Sequence, residues 1–182
     1  ITPKRAPLEV KCIFFFKEAV LMTPAAIREQ FFSVLNDTEK NISAFVKNPG
    51  SDMSRHRACS FSDTVNATLC FGMNRTNTEL LNFFGLTRKT VPSKSAFSQQ
   101  RKKLNSGLFP HLLHSFNNAI PMTKTYNGFH LAAVDGSDLN LPTDKNDSVY
   151  RIKHAASDNC YFQMHVNALY DICENRYISA VT

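Results

Sequence analysis

Phe129-His130-Leu131-Ala132-Ala133-Val134-Asp135-Gly136-Ser137-Asp138 decides how this chain is read. Its small, apolar and β-branched residues suit a strand buried on both faces. The strand is expected over Phe129 to Val134, with Asp135 emerging at its C-terminal end. Gly136 lets the backbone turn sharply there, so the run reads as strand, carboxylate, Gly-Ser turn. A carboxylate fixed on a rigid element is what a hard cation such as Mg²⁺ takes from a protein, with phosphate and water filling its other positions. The same aspartate would serve equally as a turn cap, and one residue does not choose between these.

The charge of the rest of the chain bears on the choice. The 182 residues carry a formal net charge of +6, with a pI near 9.1. From Leu86 to Asn105 stand Arg88, Lys89, Lys94, Arg101, Lys102 and Lys103 without a single Asp or Glu, so this block alone equals the net charge. Thr87, Thr90, Ser93, Ser95, Ser98, Gln99 and Gln100 are interleaved with the cations. Hydroxyls and amides beside basic residues hydrogen-bond phosphates or base edges, which points to double-stranded DNA as the partner. A solvated helix face is the plainer alternative for the same block.

Hydrophobic content of 43 % with 15 Phe is ample for a core. The greasiest segment, Val10 to Met22, is interrupted by Lys11, Lys17 and Glu18 and falls short of the ~20 apolar residues of a membrane span. The opening Ile1-Thr2-Pro3-Lys4-Arg5 is unlike a secretory signal, so a cytoplasmic location without membrane association is expected. The absence of an initiator Met and the ending of the chain within the strand-like Arg176 to Thr182 read as a fragment cut at both ends. Cys12, Cys59, Cys70, Cys160 and Cys173 form no C-x-x-C pair, which argues against a disulfide framework and a structural zinc site and for reduced core thiols. His111 and His114, at i and i+3, have no Cys or carboxylate partner nearby in sequence and make a poor zinc pair.

The pattern is helical to about residue 120. Thr23-Pro24 opens a helix that runs to Asn36-Asp37, and a second is expected over Glu39 to Val46, before the break at Asn48-Pro49-Gly50. Ser62-Asp63 opens the next, and Thr76 opens another, which Gly85 terminates. A basic helix from Ser93 to Leu104 then completes a loose helix-turn-helix outline, a plain basic αα-hairpin being the alternative. Gly107 to Ile120 is the last helix. Beyond Pro121 the character changes to strands: Phe129 to Val134, with Leu139 to Leu141 beginning a partner, Tyr161 to Asp171 in strong alternation, and Arg176 to Val181 after a hairpin at Asn175. The chain is therefore expected to be α+β, with a helical, basic, DNA-binding region over 1–120 and a catalytic-type sheet begun over 121–182.

The segments Ala133-Val134-Asp135-Gly136-Ser137, Leu139-Asn140-Leu141-Pro142 and His165-Val166-Asn167-Ala168-Leu169-Tyr170-Asp171, preceded by the basic Phe97-Ser98-Gln99-Gln100-Arg101-Lys102-Lys103-Leu104, resemble the DDE transposases of bacterial insertion sequences, of the insertion-sequence-four type. The likeness covers about Phe61 to Thr182. It implies the first three antiparallel strands of a ribonuclease-H-like core, and DNA transposition and recombination of a mobile element by metal-dependent cleavage and strand transfer at its ends. Three carboxylates would hold two Mg²⁺ (or Mn²⁺) ions, and Asp135 matches the first, as catalytic and metal-binding residue. The second Asp, and the Glu of a Tyr-x-x-Arg-x-x-x-Glu-x-x-x-x-x-x-Lys pattern, have no match here; Asp138 is expected in the turn and Asp171 at the hairpin. The resemblance thus implies an N-terminal portion that binds element ends, with a homo-oligomer on DNA admitted, and that holds metal and cleaves only as part of the full-length enzyme.

Two other classes fit parts of the pattern. A non-enzymatic helix-turn-helix DNA-binding regulator would use the helical half and give Asp135 no role. A metal-dependent phosphatase or nuclease of another fold would need Asp144, Asp147 or Asp158, which lie in a polar, loop-like stretch.

Overall fold

The computed structural model describes residues 22–54, 59–87, 89–143, 149–153 and 160–182. Helices precede strands, in an α+β arrangement: α1 (Pro24–Lys40), α2 (Phe61–Cys70), α3 (Thr76–Leu86), α4 (Lys94–Arg101), α5 (Leu108–Ala119), β1 (Ala132–Asn140), β2 (Arg151–Lys153), β3 (Cys160–Asp171) and β4 (Arg176–Val181). No helix among the described residues is long and apolar enough to cross a membrane. Val10 to Leu21 and the sites Asp144, Asp147 and Asp158 lie outside the described residues.

Local chemistry explains the helix starts. The Thr23 hydroxyl accepts from the Ala26 amide with Pro24 in the first turn, Ser60 and Asp63 form a reciprocal capping box on α2, and the Ser93 hydroxyl caps α4; each satisfies amides that have no intrahelical acceptor. Several ends differ from expectation. α1 runs to Lys40, and the separate helix over Glu39 to Val46 is instead a 3-10 turn at Ile42–Ala44, followed by Val46 in a β-bridge with Leu104. The expected stop at Gly85 is passed over, because the Thr87 hydroxyl donates to the Phe83 and Phe84 carbonyls and closes α3 two residues later. α4 ends at Arg101 and continues only as turns that reach Leu104.

α2 stands between two apolar clusters. Phe61 and Val65 join Leu35, Leu104, Leu108 and Leu112 on one side, while Ala67 joins Cys59, Leu80, Phe84 and Phe97 on the other. Cys12 lies outside the described residues; of the other thiols expected in the core Cys59 is buried, Cys70 is exposed and Cys160 and Cys173 are half-buried, and none of the four is in a disulfide.

In the sheet, β3 is central and every pairing is antiparallel: β1 lies along one side of it, β2 and β4 along the other. The hairpin between β3 and β4 is the expected one. Asn175 adopts φ 60°, and the buried Asp171 carboxylate accepts from the Glu174 amide at 2.9 Å across the loop.

The first strand corrects the sequence reading. β1 does not stop at Asp135; it continues through Gly136 and Ser137 to Asn140, in register with Asp171 to Gln163. Leu139 therefore belongs to the same strand and starts no partner. The turn precedes the strand, at Asn127 (φ 49°) and Gly128 (φ 82°). Nor is β1 buried on both faces, Val134 being 72 % exposed. Among the described residues it pairs on one side only, and α5 packs against β4, across β3 from β1.

Candidate nucleic-acid interface

α2, α3 and α4 enclose a common core, and that core fixes how α4 is presented. Phe97, 1 % exposed, packs against the Phe71 ring at 5.1 Å and shares its cluster with Phe84 and Leu80. Gln100 also turns inward. By helical spacing Ser95 and Gln99 lie on the opposite face, while Lys94 and Arg101, at i−3 and i+4 from Phe97, flank the buried stripe; all four are exposed, as is Lys102 in the turn that follows. No carboxylate among the described residues pairs with Lys94, Arg101, Lys102 or Lys103. The Gln99 amide reaches no further than Ser95, at 3.5 Å. Residues 87–93 connect α3 to α4 and bury Pro92.

The six cations singled out from sequence are thus not equivalent. Lys94, Arg101 and Lys102 share the exposed surface of α4 and its end, and Lys103 is half-buried beside them. Lys89 is committed elsewhere: its ammonium lies 2.6 Å from the Asp63 carboxylate, which is largely buried at the start of α2. Burial pushes the Asp63 carboxyl up, but the Lys89 ammonium and the Ser60 hydroxyl and amide outweigh it and hold the group below its usual range. Arg88 lies outside the described residues. No local pattern signals the Asp63 pairing, because it joins side chains 26 positions apart.

On the sheet, Asp135 is exposed in the body of β1, opposite Ala168. Strand alternation sets Asp135 and Ser137 on one face and Gly136 and Asp138 on the other. Asp138 is therefore not in a turn. It bonds His165 of β3 at 2.7 Å, and this bond raises the imidazole above its ordinary pKa of 6.5. No three His, Cys, Asp or Glu side chains gather into a metal-holding group among the described residues. A single exposed carboxylate does not satisfy a Mg²⁺ ion, which asks for a near-octahedral set of oxygens, so Asp135 with its present neighbours does not fit a two-metal centre. His111 and His114 turn to Ser115 and Asn118 respectively and share no ligand position.

Comparison of the chain with models of protein families, with curated proteins and with solved structures finds no match.

Proposed function

We propose that this chain binds duplex DNA through α4 and its C-terminal turn, as the DNA-binding portion of a transposase. The observation that carries the reading is the exposure of the polar side chains of α4: Phe97 and Gln100 are held inward by α2 and α3, while Lys94 and Arg101 flank that buried stripe, and they, Ser95, Gln99 and Lys102 are all exposed. Cations without carboxylate partners neutralise phosphates and release counterions, while Ser and Gln hydrogen-bond phosphate oxygens or base edges.

The transposase part of the proposal rests on the sequence resemblance and is supported by three adjacent antiparallel strands, β1, β3 and β4, with Asp135 on the first and the short β2 between β1 and β3 in sequence. In that reading Asp135 supplies one carboxylate to a Mg²⁺ or Mn²⁺ site whose other ligands come from outside the described residues, and the protein works on bacterial DNA in the cytoplasm. A DNA-binding regulator is the second reading, which uses the same exposed side chains of α4 and gives Asp135 no role.

The test is fluorescence anisotropy of the purified chain with a labelled duplex at low and physiological salt. Binding should weaken steeply with salt, with a logarithmic slope of about −0.9 per phosphate neutralised, and Lys94→Ala/Arg101→Ala/Lys102→Ala should flatten that slope. Salt-independent binding, or unchanged binding by the triple variant, would overturn the proposal.

A further inference from the structure

Residues at i, i+4 and i+7 stand in line along a helix, so Ser95, Gln99 and Lys102 form the ridge of α4 and its C-cap that points away from Phe97 and Gln100, with Ser98 beside it. Lys102 keeps helical backbone angles (φ −63°, ψ −17°), so the spacing holds to the end of the ridge. Lys94 and Arg101 lie seven positions apart on one flank, ~10 Å along the axis. α2 and α3 pack on the buried side, which leaves ridge and flank open together.

The ridge differs chemically from its flank. Ser95 and Ser98 are short, so Gln99 is its one long neutral side chain, and it is exposed. The Gln99 Nε2 donates to Ser95 Oγ at 3.5 Å, one turn back. A bond of that length orients the amide without holding it fast. An amide has two N–H groups and an acceptor oxygen, so a donor and Oε1 stay open. A phosphate offers acceptors only and gives nothing to Oε1. On the major-groove edges, guanine likewise shows two acceptors, cytosine a donor and thymine an acceptor, whereas adenine alone shows a donor, N6–H, beside an acceptor, N7. The short serines let the helix come close to the floor of a groove about 12 Å wide, which admits a helix.

We infer that this ridge enters the major groove and that Gln99 reads one adenine there, so that duplex binding by α4 carries a sequence preference. The inference rests on the DNA-binding reading above, with Lys94 and Arg101 on phosphates beside the groove.

The experiment selects tight binders from a duplex pool randomised over one helical turn, then measures fluorescence anisotropy of the whole chain with the selected duplex. Enrichment of an A·T pair at one position is expected. Replacing that adenine by 7-deaza-adenine, which lacks only the N7 acceptor, should weaken binding several-fold. Gln99→Ala should weaken it about tenfold, the scale of a lost bidentate contact, lose nothing further with 7-deaza-adenine, and keep the wild-type affinity and salt slope for an unselected duplex. No base enrichment by a chain that still binds duplex with a steep salt dependence would overturn the inference and leave the phosphate contacts standing. So would an adenine preference that survives Gln99→Ala, or a guanine preference that depends on Arg101. Absence of duplex binding even at low salt would remove the DNA-binding reading, and this inference with it.

Discussion

Gly136 and His165 occupy the same space from opposite strands: a Cβ at position 136 would stand 2.8 Å from both Cε1 and Nε2 of the His165 ring. The glycine is required there for close approach across the ladder, with the imidazole resting over its backbone and turned to Asp138. Gly136→Ala should push the ring aside and weaken the 2.7 Å bond to Asp138. Because the displaced atoms are the exposed tip of a side chain, the stability cost should stay under about 1 kcal/mol. The clear readout is NMR titration, in which the His165 pKa falls back toward 6.5. An unchanged titration would show that the ring does not lie over residue 136.

The same pair sets a pH dependence. The folded-state pKa of His165 is raised by Asp138, so the pair stabilises the fold fully below the ordinary value of 6.5, and that contribution is lost as pH rises through the raised pKa. Asp138→Asn should abolish this dependence. Denaturant melts of both chains from pH 5 to 8 measure it, and parallel curves would exclude the pairing.

Lys89 and Arg101 should behave oppositely. Arg101→Ala is expected to lower duplex affinity and flatten the salt slope by about one phosphate with little change in stability. Lys89→Ala should leave the slope nearly intact and raise the Asp63 pKa, with a stability loss below about 1 kcal/mol because Lys89 is half exposed. Anisotropy at several salt concentrations, with thermal melts, separates the two. An equal loss of slope in both would show that Lys89 leaves Asp63 for phosphate.

Phe97→Ala should cost about 3–5 kcal/mol, since the ring is 1 % exposed and packed on Phe71. Loss of duplex binding should accompany it even though Phe97 is itself buried. A stable Phe97→Ala chain with full affinity would mean that α4 needs no core to be presented.

Asp135→Asn tests the catalytic reading. In this chain the substitution should change stability by under about 1 kcal/mol, the residue being exposed, and DNA binding should survive. In a protein that carries the remaining acidic residues, strand cleavage should fall by several orders of magnitude, because the amide removes the charge a metal ion requires. Full cleavage by that variant would leave the regulator as the better reading.

Features set by neighbouring residues were legible before the structure. Ser93 followed by Phe97, Thr23 with Pro24, and Asn175 between alternating runs each carry a local rule, and α4, α1 and the hairpin follow it. Features set by distant contacts were not. Gly136 matches a turn signal in isolation, and only the register with β3, which sets it opposite Asn167 and beside His165, makes it a strand residue. Likewise the basic block was visible as composition, yet the division of Lys89 from Arg101 depends on Asp63, and the inward turn of Gln100 depends on the packing of α4 against α2.

The position of α2 has a mechanical corollary. With Phe61 and Val65 in one apolar cluster and Ala67 in the other, neither cluster can melt without exposing a wall of its neighbour, so α1 to α5 should open as one cooperative unit. Free energy delivered at α4 by a bound duplex is then shared with α1 and α5, which hold no part of the basic face. Amide exchange at Leu35 and Leu112 should slow when DNA is added, a remote signature of binding carried by a single ten-residue helix.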